Sequence, residues 1–437
     1  MSKTVDLILK GGTVVNQNGV GLADVAISAG KIVALGDVSS CIATETLDCR
    51  NLHILPGVID SQVHFREPGP AHKEDLETGS RAAVMGGVTA VFEMPNTNPT
   101  TTTAAALADK VSRAQHRMFC DFAFYVGGTR ENVDEIQALE KLPGSAGIKV
   151  FIGSSTGDLL VEDDAGLEAI ISKLSRRAAF HSEDEFRLRE RVKYQVPGDA
   201  SSHPVWRDAE AARLCTERLI RIARKYNKRI HVLHISTAEE LPLLAAARDL
   251  ATVEVTPHHL TLSSDDYALL GTKLQMNPPV REGRHREALW AAINSGLVDV
   301  LGSDHAPHTL EEKAKPYPSS PSGMTGVQTL VPMMLTHVNA GKLSLERLVD
   351  LTSHGPQRIF NIKNKGRIAE GYDADFTIVD LKRTEKIENK WIESRCAWTP
   401  YDGVKVQGWV VGTYVRGRPA MWQGEIADKA FGEAVKF

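Results

Sequence analysis

The sequence predicts an α/β protein, a (β/α)8 barrel of the TIM type with a small composite β-sandwich domain formed by both chain ends. Two patterns support this prediction. In the middle of the chain, short apolar runs alternate with stretches in which apolar residues recur every three or four positions. At both ends, short alternating runs lie between glycine turns, a pattern typical of antiparallel strands.

The barrel prediction depends on eight candidate strands in the middle region. They lie in HILPGVIDSQVHF, TAVFEMPN, CDFAFYVGG, GIKVFIG, RAAFHSED, RIHVLHIS, ATVEVTPHH and DVLGSD. Amphipathic segments separate most of them, among them AAALADKVSRAQHR, AARLCTERLIRIARKY and HREALWAAINSG. Because strand and helix alternate in this way, the pattern favours a closed parallel barrel over an open sheet.

The chain ends predict a second unit. Runs such as DLILKGGTVV near the start and DADFTIVDL near the end alternate apolar with polar residues. Neither end has enough strands for a stable sheet of its own, so we expect the two ends to combine. The predicted divisions are 1–54 and 366–437 for the two parts of the β-domain, with the barrel over 55–365.

Composition narrows the classes of function. The chain has 437 residues and a formal net charge of -4, which gives no global basic field and argues against a nucleic-acid partner. No apolar run approaches the length of a membrane span, and the first residues lack the apolar core of a signal peptide. Five scattered cysteines form no CxxC pair, which is typical of a reduced protein. We therefore expect a cytoplasmic protein.

Polar residues collect where the predicted strands end, which is where barrels of this type place their reactive groups. Strand alternation puts Asp60, Gln62, His64 and Arg66 on one face of the first strand. Later strands contribute further polar groups: Lys149, His181, His234 and Asp304. Each alone has a structural explanation, such as a hydrogen-bonded histidine or a helix cap. Buried together and unpaired, they would cost several kcal/mol, and a divalent metal is the natural compensation.

Several motifs make the comparison with a known family specific. In chain order, LPGVIDSQVHFREPG, MPNTNPT, EVTPHHL, MNPPVR and GSDHAPHT resemble the cyclic amidohydrolases of the amidohydrolase superfamily, and most of all the dihydroorotases. The resemblance covers essentially the whole barrel and includes the C-terminal segment GYDADFTIVDL. It implies reversible cyclisation of N-carbamoyl-L-aspartate to L-dihydroorotate, a step of pyrimidine biosynthesis that uses metal-activated water and an aspartate as general acid and base.

Carried over to matching positions, the resemblance implies one or two divalent metals per chain, with zinc the first choice. The implied ligands are His64, Lys149, His181, His234 and Asp304. Lys149 would be carboxylated, because an ammonium group cannot bind a metal whereas a carbamate offers two anionic oxygens. Asp304 would also transfer the proton during catalysis.

One position departs from the family pattern. Gln62 stands where the family has a histidine, and its neutral carbonyl oxygen is a weaker metal ligand than an imidazole. The sequence therefore leaves three alternatives for the second metal site: weak, differently coordinated, or empty. The alternative is that Gln62 only forms a local hydrogen bond.

Arg66 is the residue that discriminates among cyclic amides. It follows His64 by two positions on the same face, and a guanidinium there suits the carboxylate of dihydroorotate. The resemblance adds Asn96, Asn277 and His308 as substrate-binding residues, although turn or loop roles are an alternative for both asparagines. The sequence also gives predictions for the other histidines and for one loop. His258 and His259 would support the ligands from behind or pack in the core, and His72, His203, His285 and His305 would be structural or solvated. The segment Lys315–Gly326 would be an active-site lid or a connector.

Two alternative functions remain open at this stage. One is another cyclic amidohydrolase, an allantoinase or a hydantoinase. The other is a catalytically inactive, dihydroorotase-like scaffold subunit, which Gln62 keeps open. We further expect a small-molecule substrate and a homo-oligomer, with association with aspartate carbamoyltransferase as an additional partner hypothesis.

Overall fold

The computed structural model describes residues 3–153 and 159–437. Its strands are β1 (Lys3–Asn16), β2 (Gly19–Ser28), β3 (Lys31–Gly36), β4 (Cys41–Asp48), β5 (His53–Pro56), β6 (Val58–Val63), β7 (Val88–Glu93), β8 (Asp121–Gly127), β9 (Ser145–Phe151), β10 (Ala178–His181), β11 (Ile230–Val232), β12 (Ala251–Val255), β13 (Val300–Leu301), β14 (Phe376–Lys386), β15 (Lys405–Val415), β16 (Arg418–Trp422) and β17 (Glu425–Ile426).

The helices lie mainly between the strands of the middle region. They are α1 (Leu76–Met85), α2 (Ala104–Ala114), α3 (Ile136–Leu139), α4 (Asp164–Lys173), α5 (Glu185–Arg191), α6 (His203–Trp206), α7 (Ala209–Lys225), α8 (Leu241–Ala245), α9 (Pro257–Thr261), α10 (Tyr267–Leu270), α11 (Gly283–Asn294), α12 (Leu310–Lys313), α13 (Leu330–Asn339), α14 (Leu345–Val349) and α15 (Gly355–Phe360).

The predicted barrel is confirmed. Strands β6 to β13 form one eight-stranded sheet in chain order, and every neighbouring pair in it is parallel. The ring closes where the last strand meets the first: His64 N donates to His305 O at 2.7 Å, and Ser303 N donates to Asp60 Oδ1 at 3.0 Å. All eight predicted strand segments contribute to this ring, so their carboxyl ends share one rim.

The first predicted strand is wrong in one respect. HILPGVIDSQVHF forms two strands in different sheets, because β5 pairs with β1 and β14 whereas β6 belongs to the barrel. The division falls at Gly57, where a Cβ would lie 2.3 Å from Thr89 Oγ1 and 2.8 Å from Asp375 Cβ. Only glycine leaves room for the chain to pass between the two sheets here.

The helices that cover the barrel begin at side-chain caps. Asp75, Thr103 and Asp208 accept hydrogen bonds from the first turns of α1, α2 and α7. In α7, the buried residues Cys215, Leu219 and Ile222 recur every three or four positions, so one face packs on the barrel. The apolar spacing in the sequence therefore predicted which face of this helix packs on the barrel.

The second sheet has nine strands and combines both ends of the chain, as predicted. The two ends meet where β14 pairs antiparallel with β5, with Ile378 opposite Ile54. The exact domain boundaries stay predictions. Within the described ranges, no helix is long and apolar enough to cross a membrane, and the cytoplasmic location stays a prediction.

A buried charge cluster ties the barrel to the second sheet and gives a stability prediction. Lys365 Nζ lies 2.6 Å from Asp121 Oδ2 at the start of β8 and 2.6 Å from Asp375 Oδ2 just before β14. Replacing Lys365 by Met leaves these carboxylates undercompensated in a buried site, so we expect the free energy of unfolding to fall by about 3 kcal/mol. Urea denaturation measures this change. The matched substitution of exposed Lys363 should cost less than about 0.5 kcal/mol, and equal losses in both variants would refute the buried-pair argument.

Candidate active site

A cavity of about 280 Å³ opens at the carboxyl ends of the barrel strands. Every residue that the sequence singled out for metal or substrate lines it, together with the departing glutamine: Gln62, His64, Arg66, Asn96, Lys149, His181, His234, Asn277, Asp304 and His308. The barrel topology thus gathers side chains that are far apart in the chain.

The backbone at the rim is unusual at three of these positions. Arg66, His234 and Asp304 have φ angles of +64°, +37° and +47°. This left-handed region costs about 1–2 kcal/mol for residues with a Cβ and is concentrated at functional sites. The surrounding barrel therefore holds these three side chains in conformations that they would not adopt in a free chain.

On one side of the cavity, His64 and Gln62 converge on Asp304. His64 Nδ1 lies 2.8 Å from Asn96 Oδ1, an acceptor, so Nδ1 carries the proton and the lone pair of Nε2 points towards Asp304 Oδ1 at 3.2 Å. Gln62 Nε2 donates to the same oxygen at 3.0 Å, and Gln62 Oε1 is buried without a hydrogen-bond partner. Burial raises the pKa of Asp304 to about 7.

On the other side, His181 and His234 form a second pair. His181 Nε2 donates to Glu183 Oε2 at 2.8 Å, and Glu183 is held in turn by Arg207. This contact leaves the lone pair of His181 Nδ1 directed at His234 Nε2, 3.1 Å away. His234 Nδ1 is buried without a partner. Burial lowers the pKa of both imidazoles, which favours the neutral form that binds metals.

Lys149 is buried and lines the same cavity as the two pairs. Its Nζ lies 3.4 Å from Val150 O and 4.1 Å from the centre of the Phe151 ring, and no described carboxylate lies within ion-pair distance. Burial lowers the pKa of Lys149 to about 7, so a larger share of the amine is neutral than on a protein surface. A buried lysine without a carboxylate partner is an unfavourable arrangement unless the amine has another use.

These side chains fit a divalent metal only when Lys149 is included. Across residues 3–153 and 159–437, no three His, Cys, Asp or Glu side chains are grouped as a metal site. Instead the donors form two pairs, and in the His64–Asp304 pair two acceptors face each other, which requires a cation or a proton between them. A further anionic donor from Lys149 would complete the set of imidazole and carboxylate-type ligands that zinc prefers.

Arg66 occupies the wall near His308. Its Nε donates to Pro307 O at 3.2 Å, and its NH2 group lies 3.3 Å from His308 Nε2. Arg66 is only 9% exposed, and none of the described carboxylates forms an ion pair with it. A buried guanidinium that lines a cavity without a counterion is suited to bind an anion.

The loop Lys315–Gly326 forms part of the same wall. Pro321, Ser322 and Gly323 line the cavity, and Gly323 N donates to Gln275 O at 2.8 Å. Gly323 has a φ of +142°, and a Cβ there would lie 2.3 Å from Ala306 O. The loop is therefore packed against the site in this structure.

The remaining predicted residues have structural partners. Asn277 Oδ1 contacts His203 Nε2 at 2.9 Å. His259 contacts the carbonyls of Pro278 and Pro279, and His305 Nε2 contacts Glu74 Oε2 at 3.2 Å. His258 lies beside His259, His285 Nδ1 accepts from Ala238 N, and His72 lies near Glu312 at the surface.

Sequence reasoning missed several residues around the site. Glu183 is the clearest case, because strand alternation places it on the same face as His181, and the argument used for the first strand would have found it. Trp398 had no sequence signal. It lies between β14 and β15, yet its Nε1 donates to His308 O at 2.7 Å. The C-terminal region therefore braces the active-site wall.

Two family models match the chain. One, described as the amidohydrolase family, covers residues 199–420, and one described as dihydro-orotase-like covers residues 52–143. The first spans about half of the chain, and together the two matched regions include seven of the nine predicted metal-binding and substrate-binding residues, all but Lys149 and His181.

Individual relatives match over most of their length. A dihydroorotase of Halobacterium salinarum is 38% identical over 390 residues, which cover 88% of this chain and 89% of the relative. A dihydroorotase of Methanothermobacter thermautotrophicus is 34% identical over 93% of this chain and 92% of its own. Among solved structures, an L-hydantoinase (dihydropyrimidinase) from Arthrobacter aurescens superimposes with a TM-score of 0.96 at 30% identity, covering 99% of this chain and 100% of that one.

Proposed function

This chain belongs to the dihydroorotase branch of the amidohydrolase family, and we propose that its strand-end cavity interconverts N-carbamoyl-L-aspartate and L-dihydroorotate. As a member of that family it is a hydrolase of cyclic amides that acts on a small molecule, and membership implies a divalent metal. The observation that carries the substrate assignment is Arg66, a buried guanidinium in the cavity wall without a counterion. Both proposed substrates carry an α-carboxylate that it can bind through two hydrogen bonds.

The proposal includes the metal ligands. Carboxylated Lys149, His181 and His234 would hold a zinc ion, and His64 and Asp304 would face a second one. The second site depends on Gln62, whose unpartnered Oε1 is a weaker donor than the imidazole of the family pattern. A metal bound here would supply Lewis-acid activation of water and of the ring carbonyl.

The residues of the chain account for binding and proton transfer. Arg66 holds the carboxylate of the substrate and so places the ring amide near Asp304. In the hydrolytic direction Asp304 accepts the proton of the attacking water and passes it to the ring nitrogen as the C–N bond breaks. In ring closure it returns that proton to the departing hydroxyl group. Gln62 Nε2 donates to Oδ1 of Asp304, so Oδ2 is the oxygen left to carry the proton.

The cavity bears on both alternative functions, another cyclic amidohydrolase and an inactive scaffold. The similarity to an L-hydantoinase supports another cyclic amide as substrate, but a ring without a carboxylate would leave Arg66 unpaired on binding. A scaffold role for aspartate carbamoyltransferase requires no such cavity. Homo-oligomerisation and that association are proposals as well, and light scattering of the chain alone and mixed with aspartate carbamoyltransferase tests them.

The test of the proposed function combines metal analysis with activity. Wild-type protein purified without chelator should contain one or two divalent metals per chain and hydrolyse dihydroorotate faster than allantoin or hydantoin. Lys149→Met should retain less than about a tenth of the metal. Without Lys149 the remaining donors form only two pairs, and the residues that hydrogen-bond to the ligands cannot replace a ligand. The exposed Lys141→Met is the matched control and should keep wild-type metal. A metal-free, inactive wild type would instead favour the scaffold.

A further inference from the structure

Lys73 is a largely buried lysine that has no role in the proposed reaction, yet it contacts His308 in the wall of the cavity. Its Nζ lies 3.0 Å from His308 Nδ1 and 3.1 Å from Glu312 Oε1, and its side chain is 16% exposed. Glu312 is itself fixed, because it forms a reciprocal capping box with Thr309 at the start of α12. The ammonium group of Lys73 is thus held in one place beside the imidazole of His308.

The contacts of His308 select one tautomer. An ammonium group can only donate, so His308 Nδ1 must accept from Lys73 and cannot carry the proton. The other nitrogen, Nε2, lies 3.1 Å from Ser322 O, and a carbonyl can only accept. Both contacts therefore require the proton on Nε2. Glu312 Oε2 offers no competing acceptor for Nδ1, because it lies 3.7 Å away, beyond hydrogen-bond distance.

This tautomer decides what Arg66 can do. The NH2 group of Arg66 lies 3.3 Å from His308 Nε2. When Nε2 carries a proton, both groups are donors and no hydrogen bond forms between them, so the guanidinium protons remain available to a ligand. If the proton moved to Nδ1, Nε2 would accept from Arg66, and an N–H of the NH2 group that faces the cavity wall would be used within the protein.

We propose that Lys73 is a specificity-determining positioning residue that holds His308 in the Nε2–H form and thereby keeps the Arg66 guanidinium free for a carboxylate. The inference rests on the proposed carboxylate-bearing substrate. Lys73 itself touches neither the substrate nor the reacting atoms, and it acts through the side chains of His308 and Arg66. Burial lowers the pKa of His308, and the cations of Arg66, Lys73 and Lys313 lower it further, which keeps the ring neutral.

The test uses two substitutions that separate hydrogen bonding from charge. Lys73→Met removes both the donor and the charge, whereas Lys73→Gln removes the charge but retains a donor. We expect Lys73→Met to raise KM for dihydroorotate about tenfold or more with a smaller change in kcat, which is the scale of one hydrogen bond to a charged group. Lys73→Gln should recover most of that loss.

The tautomer itself is measured independently of activity. In protein labelled with 15N-histidine, the protonated and unprotonated ring nitrogens have well separated resonances, and His308→Gln identifies the signal of His308. Wild type and Lys73→Gln should show the proton on Nε2, and Lys73→Met should show it on Nδ1 or exchanging between both. An unchanged tautomer in Lys73→Met, or equal KM increases in both variants, would overturn the proposal. A wild type that binds and hydrolyses no dihydroorotate would instead refute the proposed function, and the spectra would still report on Lys73.

Discussion

Asp304→Asn should lower kcat for dihydroorotate hydrolysis by at least about 10³-fold, within the range that general acid–base groups contribute. The amide cannot accept the proton of water, so both directions of the reaction should stop together. The fold should persist, because Asn is isosteric. Its carbonyl oxygen can take the place of Asp304 Oδ1 and still accept from Gln62 Nε2, which lies 3.0 Å from that oxygen.

The control separates proton transfer from loss of structure. The variant should unfold within about 1 kcal/mol of wild type and keep most of its metal, because His181, His234 and Lys149 are unchanged. Asp265→Asn, at an exposed position outside the cavity, should have wild-type turnover. Steady-state kinetics, urea denaturation and metal analysis provide the three readouts. Undiminished turnover in Asp304→Asn would remove Asp304 from the mechanism and with it the proposed reaction path.

The barrel could be predicted from the sequence because its signal is local. Each strand is buried on both faces, so it appears as a short apolar run, and helices such as α7 show their packing face in the spacing of Cys215, Leu219 and Ile222. Closure of the ring then brings all strand ends to one rim without further information. For that reason, the residues picked at those ends line a single cavity.

What the sequence could not predict depends on contacts between distant segments. The split of the first strand at Gly57 follows from how close Thr89 and Asp375 approach, which no local pattern reports. Trp398 reaches His308 from the C-terminal region, and Lys73 reaches it from the loop after the first barrel strand. These residues look like ordinary surface or core positions in the sequence, since their roles arise only from their partners.

The orientation of donors is a second kind of information that sequence lacks. A motif can suggest that His64 and His308 belong to the site, but it cannot say which ring nitrogen carries the proton. The contacts with Asn96 and with Lys73 decide this for each ring. The same limit applies to Gln62, whose amide donates to Asp304 while its oxygen stays without a partner, so that a single glutamine bears on both proton transfer and metal number.

Arg66→Met should remove the preference for a carboxylate-bearing substrate. Dihydrouracil has the ring of dihydroorotate without its carboxylate, so the ratio of kcat/KM for the two compounds isolates what Arg66 contributes. Truncating one partner of a buried charge pair costs about 2–5 kcal/mol, which corresponds to a fall of about 30- to 5,000-fold in kcat/KM for dihydroorotate. The value for dihydrouracil should change by less than about threefold, because that ring offers the guanidinium no anionic partner.

The matched control for this variant is Arg229→Met, at an exposed position just before β11 and outside the cavity, which should leave the ratio unchanged. A loss of activity that is equal for both substrates would indicate that Arg66 only supports the wall through its contact with Pro307 O. A wild type that already hydrolyses dihydrouracil as fast as dihydroorotate would point to the hydantoinase alternative. If Arg66→Met loses activity only towards dihydroorotate, the buried charge of Arg66 explains the substrate specificity. The same result explains why the protein keeps an unpaired guanidinium in a buried position, where it costs stability.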